Sequence, residues 1–198
     1  MWGVLCGRRI HRTRKDRPAV IRTLDRIAAL PDLSEQGKLV AAQNFQLAGA
    51  PTRAARLLRN VLDTNPARSD AWVKLANLQV IRGDTLSGAR SLRSALENKN
   101  ERVNPMPIWR QLASIYGPKA RMDSLLAEAP ADTKFQEQLG EFYRQLARTD
   151  DPKNTVPLLE RALMLFNHLT QILPGRADLF AKQGELYLNL NRPEPGPT

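Results

Sequence analysis

Residues 35–68, EQGKLVAAQNFQLAGAPTRAARLLRNVLDTNPAR, and residues 69–102, SDAWVKLANLQVIRGDTLSGARSLRSALENKNER, decide the fold. Laid one above the other, they pair Ala42 with Ala76, Gly49 with Gly83, Ala54 with Gly88, Leu58 with Leu92 and Val61 with Ala95, every pair at the same offset. A period of that size marks a stack of small supersecondary units. In the first unit Ala41, Ala42, Phe45 and Ala48 share one helical face, and beyond Gly49-Ala50-Pro51 the set Ala54, Ala55, Leu58, Val61 and Leu62 shares another. Glycine suits the left-handed residue after a helix, and proline suits the first turn of the next. The unit therefore reads as a helical hairpin, closed by Pro66.

Outward from this pair the pattern continues in both directions. Trp109, Leu112-Ala113 and Tyr116 begin a third unit, followed by Gly117-Pro118 and a short second helix with Met122, Leu125 and Leu126 that ends at Pro130. Leu139-Gly140 and Tyr143 begin a fourth, which resumes at Ala162, Phe166 and Leu169 before Pro174 after an insertion of roughly ten residues, read as a loop from Arg148 to Thr155. Thr155 is the expected cap of the helix that follows, with Pro157 in its first turn. Phe180, Gly184 and Tyr187 begin a fifth unit, whose first helix ends at Leu190. At the other end Pro18 opens an amphipathic helix, with Val20, Ile21, Leu24 and Ile27 inward and Pro31 at its close, which reads as an orphan second helix. The expected organisation is a basic arm over 1–17 and an array over 18–190, with a half unit, units near 35–68, 69–102, 106–130 and 133–174, and a half unit over 177–190. A disordered tail over 191–198 holds three prolines.

The sequence resembles the tetratricopeptide repeat family, whose units carry Trp, Leu-Gly and Tyr in the first helix and Ala, Phe, Ala and Pro in the second. Trp72, Leu75-Ala76, Gly83-Asp84, Gly88, Leu92 and Ala95 follow that pattern, with Gln79 at the Tyr place and Asn100 at the Pro place; Lys38 stands at the Trp place of the preceding unit. The resemblance implies an all-α, right-handed helical-hairpin solenoid of about nine helices. It also implies that the first helices line a surface receiving an extended or helical segment of another protein.

Composition agrees with a protein that can build a core: of 198 residues 42% are apolar and 25% charged, which disfavours wholesale disorder and a polytopic membrane protein. The net charge of +10 is not spread evenly, because residues 1–102 hold 19 Lys+Arg against 9 Asp+Glu while the remainder is balanced. An acidic surface of protein, nucleic acid or anionic membrane is the expected partner of that half. The candidates are Arg8, Arg9, Arg12, Arg14, Lys15 and Arg17 in the arm, and Arg56 with Arg90 and Arg59 with Arg93, which take equivalent places on successive second helices and are expected to face solvent. Cys6 is the one cysteine, so no intramolecular disulfide can form, and a cytoplasmic or cytoplasm-facing location is expected. The arginine-rich start is also compatible with a mitochondrial presequence, or with the flank of an upstream membrane span.

Chemistry is not expected. Nucleophilic catalysis needs a base beside an activated Ser or Cys, and the histidines are His11 in the arm and His168 on a helix rim. Phosphate-binding glycine loops and His-Glu-x-x-His metal helices are absent from the sequence, so no catalytic residue, metal or cofactor is assigned. Asp150-Asp151, beside Pro152, reads as helix capping.

Once inward residues are removed, the first helices leave a stripe of Leu39, Gln43 and Gln46, then Val73, Asn77 and Val80, then Arg110 and Ser114, then Glu137, Glu141 and Arg144. Amides such as Gln43 and Asn77 offer a donor and an acceptor to a peptide backbone. In the family's two-carboxylate clamp, the places held here by Leu39 and Val73 carry a cation or an amide, so an acidic chaperone C-terminus is not the expected client. The expected function is a non-catalytic scaffold or adaptor, a subunit or fragment of a larger assembly, binding a protein client in this groove. Self-association through uncapped ends is a further expectation, because a repeat buries its apolar face only against neighbours. The alternative is a basic helical-repeat protein that binds nucleic acid or sits in a nucleic-acid complex.

Overall fold

The computed structural model describes residues 16–98, 103–128 and 132–191, and among them it has ten α-helices and no strand. They form two compact units, one up to Ile108 and one from Trp109. The arm residues Arg8, Arg9, Arg12, Arg14 and Lys15, the chain at Asn100 and Pro130, and the tail beyond Asn191 lie outside the described residues.

In the first unit α1 (Arg17–Ala28) precedes two hairpins, α2 (Glu35–Leu47) with α3 (Pro51–Thr64) and α4 (Ser69–Ile81) with α5 (Thr85–Glu97). Both hairpin turns are built alike. After α2 the Ala50 N–H donates to the Phe45 carbonyl at 2.7 Å and the Gly49 N–H to that of Gln46 at 2.9 Å; after α4 Asp84 bonds Gln79 and Gly83 bonds Val80, each at 2.9 Å. This double closure needs a left-handed residue between helix and turn, and Gly49 and Gly83 supply it with φ of 69° and 86°. Ser34 and Asp84 cap α2 and α5 by accepting from the N–H groups of Gly37 and Ser87. Phe45, Leu58, Val61 and Leu75 are buried together in one core, each worth roughly 1.5–3 kcal/mol against leaving it exposed. Gly88 is small for a reason: a Cβ there would stand 2.6 Å from Val80 Cγ2.

The orphan helix differs from expectation. Leu24 is buried and Ile21 partly so, but Val20 and Ile27 are 42% and 39% exposed. They stand one repeat before Ala54 and Val61, which α2 helps to bury, and among the described residues α1 has no first helix of its own to cover them. Arg17 belongs to α1 rather than to the arm: its guanidinium donates to the Ala48 carbonyl and fills the space where a Gly49 side chain would go.

From Trp109 onward the second unit contains most of α6 (Met106–Tyr116), then α7 (Lys119–Glu128), α8 (Thr133–Thr149), α9 (Pro152–Ile172) and α10 (Ala177–Asn189). Trp109 stacks on Phe135 and Phe142 at 5.8 Å each, and the buried Tyr143 donates its hydroxyl to the Ala113 carbonyl at 3.3 Å. Gly140 lets α8 approach α9, since a Cβ would meet the Phe166 ring at 2.9 Å. The insertion forms no loop. Its residues lengthen α8 and α9 until only Asp150 and Asp151 separate them, and Asp151, not Thr155, caps α9 through the Lys153 N–H. Thr155 lies inside α9 and its hydroxyl reaches back to the Ala147 carbonyl at 3.4 Å. Phe180, expected to pack, is 45% exposed, and its neighbour Leu179 takes the buried place.

Candidate interaction site

In the first unit the helical period sorts α2 and α4 into a packed face and an open one. Leu39 does not belong to the open face: it is 2% exposed, against Ala42 and Phe45 in the core. Val80 is half-buried because its methyl fills the gap over Gly88, and Val73 is half-buried as well. Gln43 and Gln46 are exposed, and Asn77 is half-buried. One position round from the expected residues, Val40 and Leu47 on α2 and Ile81 on α4 are exposed as well, whereas Lys74 on α4 is half-buried. Leu47 and Ile81, at one repeat position and each just before its turn, are 78% and 74% exposed. A selection at i, i+4, i+7 from Leu39 and Val73 passes them by. The signal for them lies in the aligned stretches, where two large aliphatics share a repeat position that no packing place requires.

Around this face the N-terminus of α4 is clamped. Arg68 donates to both carboxylate oxygens of Asp70 at 2.9 Å and to Glu35 on α2 at 3.3 Å. Hydrogen bonding from Arg68 holds the Asp70 carboxyl below its ordinary range, against the opposing effect of burial. Trp72 at the start of α4 donates its indole N–H to the Pro66 carbonyl at 3.0 Å.

Within the second unit Arg110 and Ser114 are exposed on α6, and the Ser114 hydroxyl turns back to the Gln111 carbonyl at 2.8 Å. The other three expected residues there are engaged within the fold. Glu137 accepts from Lys182 at 2.8 Å and from Arg176 at 3.4 Å, Glu141 pairs with Lys182 at 3.2 Å and Arg144 at 3.1 Å, and Arg144 also bonds Glu185. The charges of α8 thus fasten α10 in place. Burial opposes the charge on Lys182, but its hydrogen bonds to Glu137 and Glu141 prevail and raise its pKa.

The second helices carry the expected arginines. Arg56, Arg59 and Arg90 are exposed, whereas Arg93, at the repeat place of Arg59, is half-buried rather than facing solvent. Arg22 on α1, not singled out by sequence, stands one repeat before Arg56 and is exposed too. No group of three or more metal-ligating side chains occurs among the described residues, and no helix among them is long and apolar enough to cross a membrane.

No family model matches the chain, and no curated protein matches its sequence. Solved structures do. YrrB, described as a TPR protein with an unusual peptide-binding site, is 17% identical, with a TM-score of 0.41 over 89% of this chain and 86% of its own. MamA is 14% identical, with a TM-score of 0.45 over 84% of this chain and 94% of its own. A human IFIT1 dimer with PPP-AAAA is 15% identical, with a TM-score of 0.34 over 90% of this chain and 43% of its own. Among the described residues the chain is all-α, and its helical hairpins with their glycine turns resemble tetratricopeptide repeats.

Proposed function

We propose that the protein is a non-catalytic scaffold or adaptor, working as part of a larger assembly, whose first unit binds a segment of a protein client across α2 and α4. The observation that carries this reading is the repeated exposure of Leu47 and Ile81 beside Gln43 and Asn77. Large aliphatics left in water at one repeat position gain free energy when a partner covers them, at about 25 cal/mol per Å² of apolar surface. Flanking amides can bond the client's backbone. Affinity capture from lysate, with and without nuclease, compares the wild-type chain with a Leu47→Glu, Ile81→Glu variant. A protein retained by the wild type after nuclease and lost by the variant, with the melting temperature unchanged, supports the reading. Equal capture by both sinks it.

A further inference from the structure

Lys38 on α2 stands at the repeat position of Trp72 on α4, and the surroundings of the two residues differ accordingly. The Trp72 indole is half-buried, packs on the core of the first unit and donates its N–H to Pro66. Lys38 instead turns its ammonium to the Asn60 side chain at 2.8 Å, and a cleft of about 600 Å³ opens beside it between α1 and α3. A second residue widens this cleft: Ala28, on its α1 wall, stands at the repeat position of Leu62, which is buried in the same core that Trp72 packs against. The cleft thus lies where the next repeat seats an indole, and a lysine and an alanine, in place of tryptophan and leucine, leave it open. Its floor is apolar, made by Ala28 and Leu57, and its rim is charged. On that rim Asp25 and Arg53 pair at 3.0 Å and offset each other. Arg56 is exposed and has no partner among the described residues, and the one printed contact of Lys38 is to a neutral amide, so these two positive charges are left uncompensated there.

We propose that this cleft binds an aromatic carboxylate. The planar ring enters the indole's place over Ala28 and Leu57, and the carboxylate is held by the Arg56 guanidinium with the Lys38 ammonium beside it. The methylene stems of Lys38 and Arg56 give the ring apolar flanks, and a cation against a ring face adds an attraction of its own. An arginine fork matches a carboxylate with two parallel hydrogen bonds. Charge separates a carboxylate from a phosphate here. Asp25 remains on the rim and repels a dianion more strongly than a single negative charge, which Arg56 can meet alone. A free aromatic acid and a polypeptide that ends in an aromatic residue carry the same chemistry, and the experiment below tells these sources apart. The cleft shares no residue with the client face of Gln43, Leu47, Asn77 and Ile81, so loss of one binding activity leaves the other standing.

The test is an NMR titration of the full chain, following backbone amides, with N-acetyl-tryptophan, N-acetyl-tryptophanamide, adenosine monophosphate and a short Ala-Ser peptide ending in tryptophan with a free carboxylate. N-acetyl-tryptophan is expected to shift the amides of Ala28, Leu57 and Asn60 and to saturate with a Kd of about 1 mM, the order open to a ligand of that size. Its amide should bind about ten-fold more weakly, having lost the charge-assisted hydrogen bonds. Tighter binding of the peptide than of N-acetyl-tryptophan would identify a polypeptide C-terminus as the source, and equal or weaker binding a free acid. Arg56→Gln should weaken N-acetyl-tryptophan about five-fold, the order of one exposed charge pair, with the melting temperature unchanged. Lys38→Trp places the repeat's own indole in the cleft, so it should abolish binding and raise the melting temperature. No saturable shift at the cleft, undiminished binding by either variant, a lower melting temperature of Lys38→Trp, or tighter binding of adenosine monophosphate than of N-acetyl-tryptophan would each overturn the proposal.

Discussion

Arg176 repeats, in the second unit, the contacts that Arg68 makes in the first. Each stands just before a first helix and grips an acid two residues on, Asp70 at 2.9 Å and Asp178 at 2.6 Å, and each reaches back to a glutamate on an earlier first helix, Glu35 at 3.3 Å and Glu137 at 3.4 Å. The matching stretches are Pro66-Ala67-Arg68-Ser69-Asp70-Ala71-Trp72 and Pro174-Gly175-Arg176-Ala177-Asp178-Leu179-Phe180. An Asp in the first helical turn also meets the positive end of the helix dipole.

That clamp should be visible in titration. Hydrogen bonds from Arg176 hold the Asp178 carboxyl at about 2, below the usual carboxylate range. A carboxyl depressed in the folded state adds stability that is complete above its unfolded pKa and is lost as pH falls through the folded one. The contribution therefore disappears between about pH 4 and pH 2. Carbon-detected NMR of the carboxyl should find Asp178 still ionised at pH 3, and Arg176→Gln should return its midpoint to the ordinary range. An unmoved midpoint in that variant would contradict the clamp.

What the sequence makes legible is packing. The repeat period picks out Ala42, Leu58, Val61 and their partners because such places admit only small or apolar residues, and Gly49 and Gly83 are readable because a left-handed turn selects glycine. The open faces are harder to read, since solvent imposes no residue type. Leu39 and Leu47 look equally apolar in sequence, yet one is core and the other exposed, and a single position of helical phase, about 100°, separates the buried Leu39 from the exposed Val40. The ion pairs that Glu137, Glu141 and Arg144 make with Arg176, Lys182 and Glu185 depend on α10 and the turn before it, far along the chain, so no local pattern announces them. Nor can spacing distinguish a loop from two lengthened helices around Asp150-Asp151.

Tyr143 offers a test at the alkaline end. Its hydroxyl lies in the core with Ala113 as acceptor, and burial pushes its pKa well above the ordinary value, more than the nearby Arg161 pulls it down. An acid whose folded pKa is raised contributes stability present below its unfolded pKa of about 10 and lost as pH rises through the folded one. Ultraviolet titration should leave Tyr143 protonated past pH 10 and ionise it only as the chain unfolds. Tyr143→Phe should melt at lower temperature at neutral pH, by the roughly 0.5–1.5 kcal/mol of a hydrogen bond, and should lose less stability than wild type at alkaline pH. A free phenolate near pH 10 in the folded chain would show that the site is open to water.

Gly140 provides the sharpest check on the packing of the second unit. In an exposed helix Gly→Ala is worth up to about 1 kcal/mol of stabilisation, because glycine costs backbone entropy. At position 140 the new methyl would stand 2.9 Å from Cε2 and 3.1 Å from Cζ of Phe166. Phe166 is fully buried and its ring is fixed by the surrounding core, so the clash moves α8 and α9 apart instead of rotating a free side chain. Overpacking of this kind typically costs about 1–3 kcal/mol, which outweighs the helix gain. Gly140→Ala should therefore lower the urea midpoint, and Gly140→Ala with Phe166→Leu should recover part of the loss by making room for the methyl. A single variant as stable as wild type, or a double variant whose cost is the sum of its parts, would mean that the two helices do not meet at this point.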